Sequence, residues 1–200
     1  MARPPKEDWV PLMREKAVER LKEGVDVKVM DIAEELGTSP ALVHFYFGDR
    51  QHLVDEAWRQ ILWAYVDDDS SEVARFAEDR DWDGVAQLVR SILSKDRDAI
   101  HLAHVRAAGE ATASPDLAAT LREVHESTID RWVGLLKESI AQGQAETPLD
   151  LDALATLIVA VPIGLAAINP EMSPQRRRAV SEAYTTMLRA VLDADFSPHA

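Results

Sequence analysis

Residues 28–53, reading KVMDIAEELGTSPALVHFYFGDRQHL, constrain the fold of this chain more than any other stretch. Apolar residues lie three and four apart from Val29 to Leu36, which predicts a helix, and Gly37 permits the positive φ that ends one. Ser39 followed by Pro40 predicts a second helix, because the hydroxyl caps its first turn and proline presets φ. Such a helix-turn-helix can present its second helix to the DNA major groove. Two helices joined in this way also form plain corners of helical bundles.

The second half of this stretch carries a family resemblance. Residues 43–53, VHFYFGDRQHL, together with Asp31, Ile32, Ala33 and Gly37, are similar to the DNA domain of the TetR family of bacterial transcription regulators. The resemblance implies a helix-turn-helix DNA-binding domain in residues 1–53 and a helical effector-binding and dimerisation domain in residues 54–200. A helix starting near residue 50 would connect them. It also implies a dimer that binds double-stranded operator DNA, most often as a repressor.

The resemblance assigns DNA contacts to particular side chains. His44 stands where the family has a phosphate-binding tyrosine, and Arg50 replaces the usual lysine at the start of the connecting helix. No candidate on the second helix is an arginine able to grip guanine, so readout by methyl contacts, water and shape is expected. The candidate DNA-binding residues are Lys28, Thr38, Ser39, Pro40, Ala41, His44, Phe45 and Arg50.

The formal net charge of -13 opposes DNA binding, because phosphate contacts usually come with a basic surface. The acid is unevenly spread. Residues 1–59 hold nine Lys and Arg against twelve Asp and Glu, and residues 60–200 hold thirteen against twenty-three. Most of the negative charge therefore lies outside the predicted DNA domain, and we expect a modest, salt-sensitive affinity that depends on dimerisation.

The rest of the sequence predicts an all-α fold of about nine helices. Helix starts are marked by Ser114-Pro115, Asp150 and Ser173-Pro174. The helix that follows Arg50 is expected to end at Asp67–Ser71, since acidic residues at a helix C-terminus oppose its dipole.

The segment 153–168 is apolar nearly all round. A membrane span is the alternative interpretation, but 16 residues fall short of the roughly 20 that a span needs. Burial between protein layers is therefore favoured, with no membrane partner. In a TetR-like architecture the last two helices pair with their copies in a homodimer. The expected interface residues are Leu154, Leu157, Ile158, Val161, Leu165, Tyr184, Leu188 and Val191.

A small-molecule effector is expected on the inner face of the long helix after Arg50, where aromatic residues recur at helical spacing. His101 and His104, three residues apart, would orient the ligand, while Arg106 and Glu110 pair with each other on the surface. The effector would be largely hydrophobic and neutral or weakly anionic. The candidate ligand-binding residues are Trp58, Leu62, Tyr65, His101, His104, Val105, Thr128 and Trp132.

Two other function classes are alternatives to a transcription regulator. The sequence has no nucleophile elbow, phosphate loop, dinucleotide fingerprint or zinc-protease helix, so no catalytic residue and no cofactor are predicted. A metal-binding or enzymatic bundle would use Asp98, His101 and His104, but the full Glu-x-x-His pattern of diiron bundles is missing. The other alternative is a helical interaction protein whose DNA domain has decayed.

Cysteine usage and the N-terminus bear on the compartment. The chain has no cysteine, which excludes disulfides and suits a reducing environment. Residues 1–6 lack the apolar region of a secretion signal, so a cytoplasmic location is expected.

Overall fold

The computed structural model describes residues 9–76 and 82–192, with the backbone alone for 68–76 and 82. These residues form nine α-helices and no strand, which confirms the all-α prediction for the described part of the chain. The helices are α1 (Trp9–Glu23), α2 (Val29–Glu35), α3 (Pro40–Phe47), α4 (Arg50–Phe76), α5 (Trp82–Ile92), α6 (Asp98–Ala111), α7 (Pro115–Ala141), α8 (Leu151–Ile168) and α9 (Pro174–Leu192). A 3-10 turn, Lys95–Arg97, precedes α6.

Three helix starts lie where the capping residues predict them. The Ser114 hydroxyl accepts a hydrogen bond from the Leu117 N–H at 3.2 Å at the start of α7. Asp150 Oδ1 accepts one from the Ala153 N–H at 2.8 Å at the start of α8. The Ser173 hydroxyl does the same for α9. Each cap satisfies a backbone donor that the first turn leaves without a helical partner.

The predicted end of α4 at Asp67–Ser71 is wrong, because the helix continues to Phe76. Residues 67–69 therefore lie in the helix interior, where the dipole no longer opposes an acid and weak propensity costs only tenths of a kcal/mol. A tertiary contact also holds the helix here, since the Arg131 guanidinium donates to the Val66 carbonyl at 2.8 Å.

The chain divides into two compact units. The first ends at Ala64 and takes in Arg106–Arg122, and the second contains Tyr65–Val105 and the chain from Glu123 onward. The first unit thus extends past residue 53, where the sequence places the domain boundary, because α4 adds its first turns to that core. Its fully buried side chains include Met13, Ile32, Val43, Leu53, Trp58, Ile61, Leu62 and Leu117.

The core of the second unit corrects several of the predicted interface residues. Leu154 and Ile158 are 4% and 6% exposed and pack within this chain, with Leu188 and Val191 against them. Because α8 is apolar nearly all round, its periodicity could not tell the inward face from the outward one. Leu157 does point outward, whereas three of the predicted residues are half-buried: Val161, Leu165 and Tyr184.

Helix α8 spans 18 residues, of which 153–168 are the apolar run, and its length and apolar composition would also suit a membrane span. Only 28% of these residues are buried. The outward face carries Leu157 at 58% and Ile168 at 84% exposure, with small residues between them. The helix therefore has an inner face in the core and an outer apolar face that the described residues of this chain leave uncovered.

Candidate nucleic-acid interface and ligand cavity

The turn between α2 and α3 has the local geometry that its sequence predicts. Gly37 has a φ of +63°, and the following Thr38 N–H donates to the Ala33 carbonyl at 2.8 Å. Ser39 is the N-cap of α3, and its hydroxyl accepts from the Leu42 N–H at 3.3 Å. A backbone hydrogen bond therefore ends α2 and a side-chain cap starts α3, so the two helices form a helix-turn-helix within the first unit.

Two arginines brace this motif from within the first unit. Arg20 of α1 donates to the carboxylates of Asp31 and Glu35 on α2. Arg50 donates through Nε to the Val27 carbonyl at 2.6 Å and pairs with Asp26. The Arg50 guanidinium thus ties the start of α4 to the segment before α2, while its side chain is still 46% exposed.

The exposed face of α3 is formed by Pro40, Ala41, His44 and Phe45. None of these four is an acidic or basic residue apart from the histidine, and the His44 Nδ1 lies 3.3 Å from the Gly48 carbonyl. Phe45 is 77% exposed and meets the Tyr46 ring edge to face at 5.2 Å. The surface that α3 offers is therefore mainly apolar.

The remaining DNA candidates lie at the rim of this face. Lys28 is exposed at the N-cap of α2 and makes no side-chain cap, as expected for a lysine. Ser39 is exposed, while Thr38 is partly buried. Sequence reasoning missed Met30, which is 73% exposed on α2 although it sits in an apolar pattern.

A cavity of about 50 Å³ in the second unit gathers most of the predicted ligand residues. Tyr65, His101, His104, Thr128 and Trp132 line it together, from α4, α6 and α7. Residues that were not predicted complete the wall: Val66, Leu88, Ile92, Arg97, Ile100, His125, Ile158, Val159, Pro162 and Ile163.

Three of the predicted ligand residues are not part of this cavity. Trp58 and Leu62 are at most 1% exposed in the core of the first unit, and Val105 does not line the cavity. The Trp58 indole N–H donates to the Glu110 carboxylate at 2.9 Å. The predicted surface pairing of Glu110 with Arg106 is therefore corrected. Helical spacing placed residues 58, 62 and 65 on one face of α4, but the helix passes from one unit to the other at Tyr65.

Imidazoles dominate the polar part of the cavity. His104 stacks on His125 with ring centroids 5.7 Å apart, and its Nδ1 lies 3.0 Å from the Ile100 carbonyl. Nδ1 must therefore donate, which leaves Nε2 of neutral His104 as an acceptor. His125 Nε2 is buried and makes no hydrogen bond. His125 could have been found in the sequence, because it lies three residues before Thr128 and seven before Trp132, on the same face of α7.

Burial lowers the pKa values of these imidazoles. The pKa of His101 falls to about 4, chiefly through desolvation and then through His104 and Arg97 nearby. Desolvation also lowers the pKa of His104 and of His125. All three side chains are therefore neutral at pH 7, and each could accept a proton if an anion entered the cavity.

The metal alternative built on Asp98, His101 and His104 loses its carboxylate. Both Asp98 oxygens accept hydrogen bonds from Arg177, at 3.0 and 2.7 Å, and Arg177 also donates to the Leu93 carbonyl. Within the described residues, no group of three acidic or histidine side chains could hold a metal ion. Asp98 instead joins α6 to α9.

A second cavity, of about 190 Å³, lies in the same unit and is almost entirely apolar. It was not predicted, because its walls come from residues that look like ordinary core in the sequence. Among the described residues that line it, Ser139 and Gln144 have polar side chains, and the Trp132 indole adds an N–H group. The apolar lining residues include Val85, Leu88, Val89, Ile92, Trp132, Leu135, Leu136, Ala145, Ile158, Leu188 and Leu192.

No protein-family model matches this sequence, and no curated protein matches it either. Solved structures do match it along nearly the whole chain. A TetR transcription regulator from Haloarcula marismortui superposes with a TM-score of 0.71 at 17% identity, over 93% of this chain and 99% of that one. The chain has the TetR fold. This result confirms the resemblance in residues 28–53 at the level of the fold.

Two other structures with this fold were solved with ligands. A protein from Saccharomonospora viridis in complex with choline has a TM-score of 0.71 at 18% identity, over 94% of this chain and 99% of that one. The transcriptional regulator FadR from Bacillus subtilis, in complex with stearoyl-CoA, has a TM-score of 0.59 at 16% identity, over 89% and 96%. The TetR fold thus accommodates chemically different ligands, and a ligand for this chain has to be argued from its own cavities.

Proposed function

We propose that this chain is a homodimeric, ligand-responsive transcription regulator of the TetR type, which acts as a repressor in the cytoplasm. The observation that carries the proposal is the closed helix-turn-helix of α2 and α3, with the face of α3 exposed, in a chain with the TetR fold. Two recognition helices in a dimer would occupy successive major grooves, about 34 to 36 Å apart.

A selection of genomic fragments by the purified protein tests DNA binding. Bound fragments should include DNA upstream of the gene that encodes the protein, and they should compete with nonspecific DNA in a mobility-shift assay. The Ala41→Gln variant should lose most of this specific binding, because a longer side chain at the centre of the α3 face prevents close docking. Ala113→Gln is the matched control, since Ala113 is exposed in the same unit but lies outside the helix-turn-helix.

Two outcomes of the selection would overturn the proposed function. Failure to recover any specific fragment would favour an interaction protein with a decayed DNA domain, and exposed Met30 and Phe45 would then belong to a protein contact. Equal binding by wild type and Ala41→Gln would show that α3 does not enter the groove.

The cavity lined by the imidazoles supports an effector site. Tyr65 lines it and follows directly on Ala64, the last α4 residue of the first unit. Helix α4 is continuous from Arg50 to Phe76, and Arg50 at its start is hydrogen-bonded to Val27. A ligand that moves Tyr65 would therefore also move the N-terminal part of this helix. The effector must bind the two conformations unequally, and a coupling of about 1 to 3 kcal/mol would release DNA several-fold to a hundredfold.

The outward apolar surface of α8 and α9 supports the homodimer. On α8 the exposed apolar residues are Ala153, Leu157, Ala160 and Ile168, and on α9 they are Ala179, Ala183 and Met187. Three large apolar side chains on these two helices are exposed: Leu157 at 58%, Ile168 at 84% and Met187 at 63%. A second copy of the same surface would cover them by two-fold packing of helices.

A further inference from the structure

The two cavities of the second unit share one wall. Leu88 and Ile92 of α5, Trp132 of α7 and Ile158 of α8 line both of them. Ile92 and Trp132 are only half-buried, so a change of rotamer at either side chain would open a passage. The cavities are therefore adjacent compartments that share these four lining residues.

The compartments differ in chemistry. The smaller one contains three imidazoles, the Arg97 guanidinium, the Tyr65 hydroxyl and Thr128, and none of its described lining residues is Asp or Glu. The nearby Asp98 carboxylate is held by Arg177. Among the described lining residues a cationic group would meet no carboxylate, whereas an anion would meet the Arg97 guanidinium and imidazoles that can take up a proton.

The larger compartment offers only apolar contact over most of its surface. Its volume of about 190 Å³ exceeds the roughly 150 Å³ that holds a benzene ring in a protein core. On that scale it has room for about six to eight carbon atoms of an unbranched chain. A branched or polycyclic body would need the core around Leu136 to move.

We propose that the two compartments form one binding site for an amphipathic monocarboxylate, with its carboxylate among Arg97, His101 and His125 and its hydrocarbon chain past Trp132 in the larger cavity. The inference deepens the effector part of the proposed function and depends on it for its biological meaning. The binding event itself does not require DNA.

Calorimetric titration of the protein alone with straight-chain carboxylates from butanoate to dodecanoate tests the site. Affinity should rise about fourfold with each methylene up to octanoate and then level off, as the larger cavity fills. Octanol should bind at least tenfold more weakly than octanoate, and octyltrimethylammonium should not bind. A chain-length-independent affinity, or equal binding of the ammonium compound, would overturn the proposal.

Variants separate the two compartments. Ala145→Phe and, independently, Leu188→Phe place a ring in the larger cavity, and each should weaken octanoate at least tenfold while leaving butanoate unchanged. His125→Phe or Thr128→Val should weaken both acids by a similar factor. Ala113→Phe, in the first unit, is the control for adding a ring, and circular dichroism establishes that each variant is folded.

The proposal fails if both ring variants bind octanoate as tightly as wild type does. It stands, and the effector role fails, if octanoate binds as described but does not alter the affinity for the selected DNA fragment. The two ideas are therefore tested by separate readouts.

Discussion

His101 illustrates how one residue links the cavity to the pH dependence of stability. Its pKa is about 4 in the folded chain, against about 6.5 in an unfolded one. Between these values the unfolded state binds more protons, so stability falls as the pH drops from 6.5 toward 4. At pH 5 the low pKa of His101 should lower the free energy of unfolding by about 1 to 2 kcal/mol relative to pH 7.5.

The His101→Gln variant should therefore lose less unfolding free energy than wild type between pH 7.5 and pH 5. Urea unfolding at both values measures the difference, and His52→Gln, at an exposed position, controls for the substitution itself. His104 and His125 shift the stability in the same direction, so only the comparison between variants is diagnostic. An identical pH response of wild type and His101→Gln would contradict this assignment.

A second prediction concerns the contribution of Arg50 to stability. Arg50→Ala removes the hydrogen bond to Val27 and the pair with Asp26, and should lower the unfolding free energy by about 1 kcal/mol, given that the side chain is 46% exposed. Arg59→Ala is the control, because Arg59 makes only a 4.0 Å contact with Glu56. If Arg50 instead contacts phosphate, the variant will keep its stability and show a DNA salt slope lower by about one unit.

The exposed side chains of α3 predict how the protein recognises DNA sequence. Its exposed side chains at Ala41 and Phe45 can contact thymine methyl groups but cannot form paired hydrogen bonds with base edges. Replacing thymine by uracil at a contacted position of the selected fragment should weaken binding about fourfold, as expected for one buried methyl group.

The Phe45→Ala variant should bind the thymine fragment more weakly and should discriminate less between thymine and uracil. Quantitative mobility shifts at one fixed salt concentration measure both effects. If uracil substitution has no effect anywhere in the site, the readout must rest on water or DNA shape instead.

The helices also show what local sequence can and cannot determine. Ser114, Asp150 and Ser173 predicted helix starts correctly, since capping involves atoms only three residues apart. The end of α4 and the location of Trp58 depend on which distant segment packs against the helix, as Arg131 and Glu110 do. Spacing found five of the eight ligand candidates in one cavity, but it could not reveal that α4 changes partner at Tyr65.

At the scale of the whole molecule, assembly is the property most open to test. Leu157→Glu would bury two carboxylates in the proposed two-fold interface, at a cost of several kcal/mol. Sedimentation velocity should show monomers for this variant and dimers for wild type and for Leu149→Glu, which alters an exposed leucine outside α8. A normal dimer of Leu157→Glu would place the interface elsewhere, and flotation of wild type with lipid vesicles would indicate that the apolar face meets a membrane.

The proline inside α8 has a mechanical consequence. Pro162 lies in the wall of the smaller cavity and has no N–H to donate to the Ile158 carbonyl. Helix α8 therefore lacks one backbone hydrogen bond beside the proposed ligand site. The helix should bend most easily at Pro162, with Leu157 on its N-terminal side and Ile168 on its C-terminal side. A ligand that contacts Pro162 and changes this bend would alter the angle between the two halves of the outward face of α8. Pro162→Ala should slow amide exchange in α8 and uncouple ligand binding from dimer strength; unchanged exchange would show that the helix is rigid at Pro162.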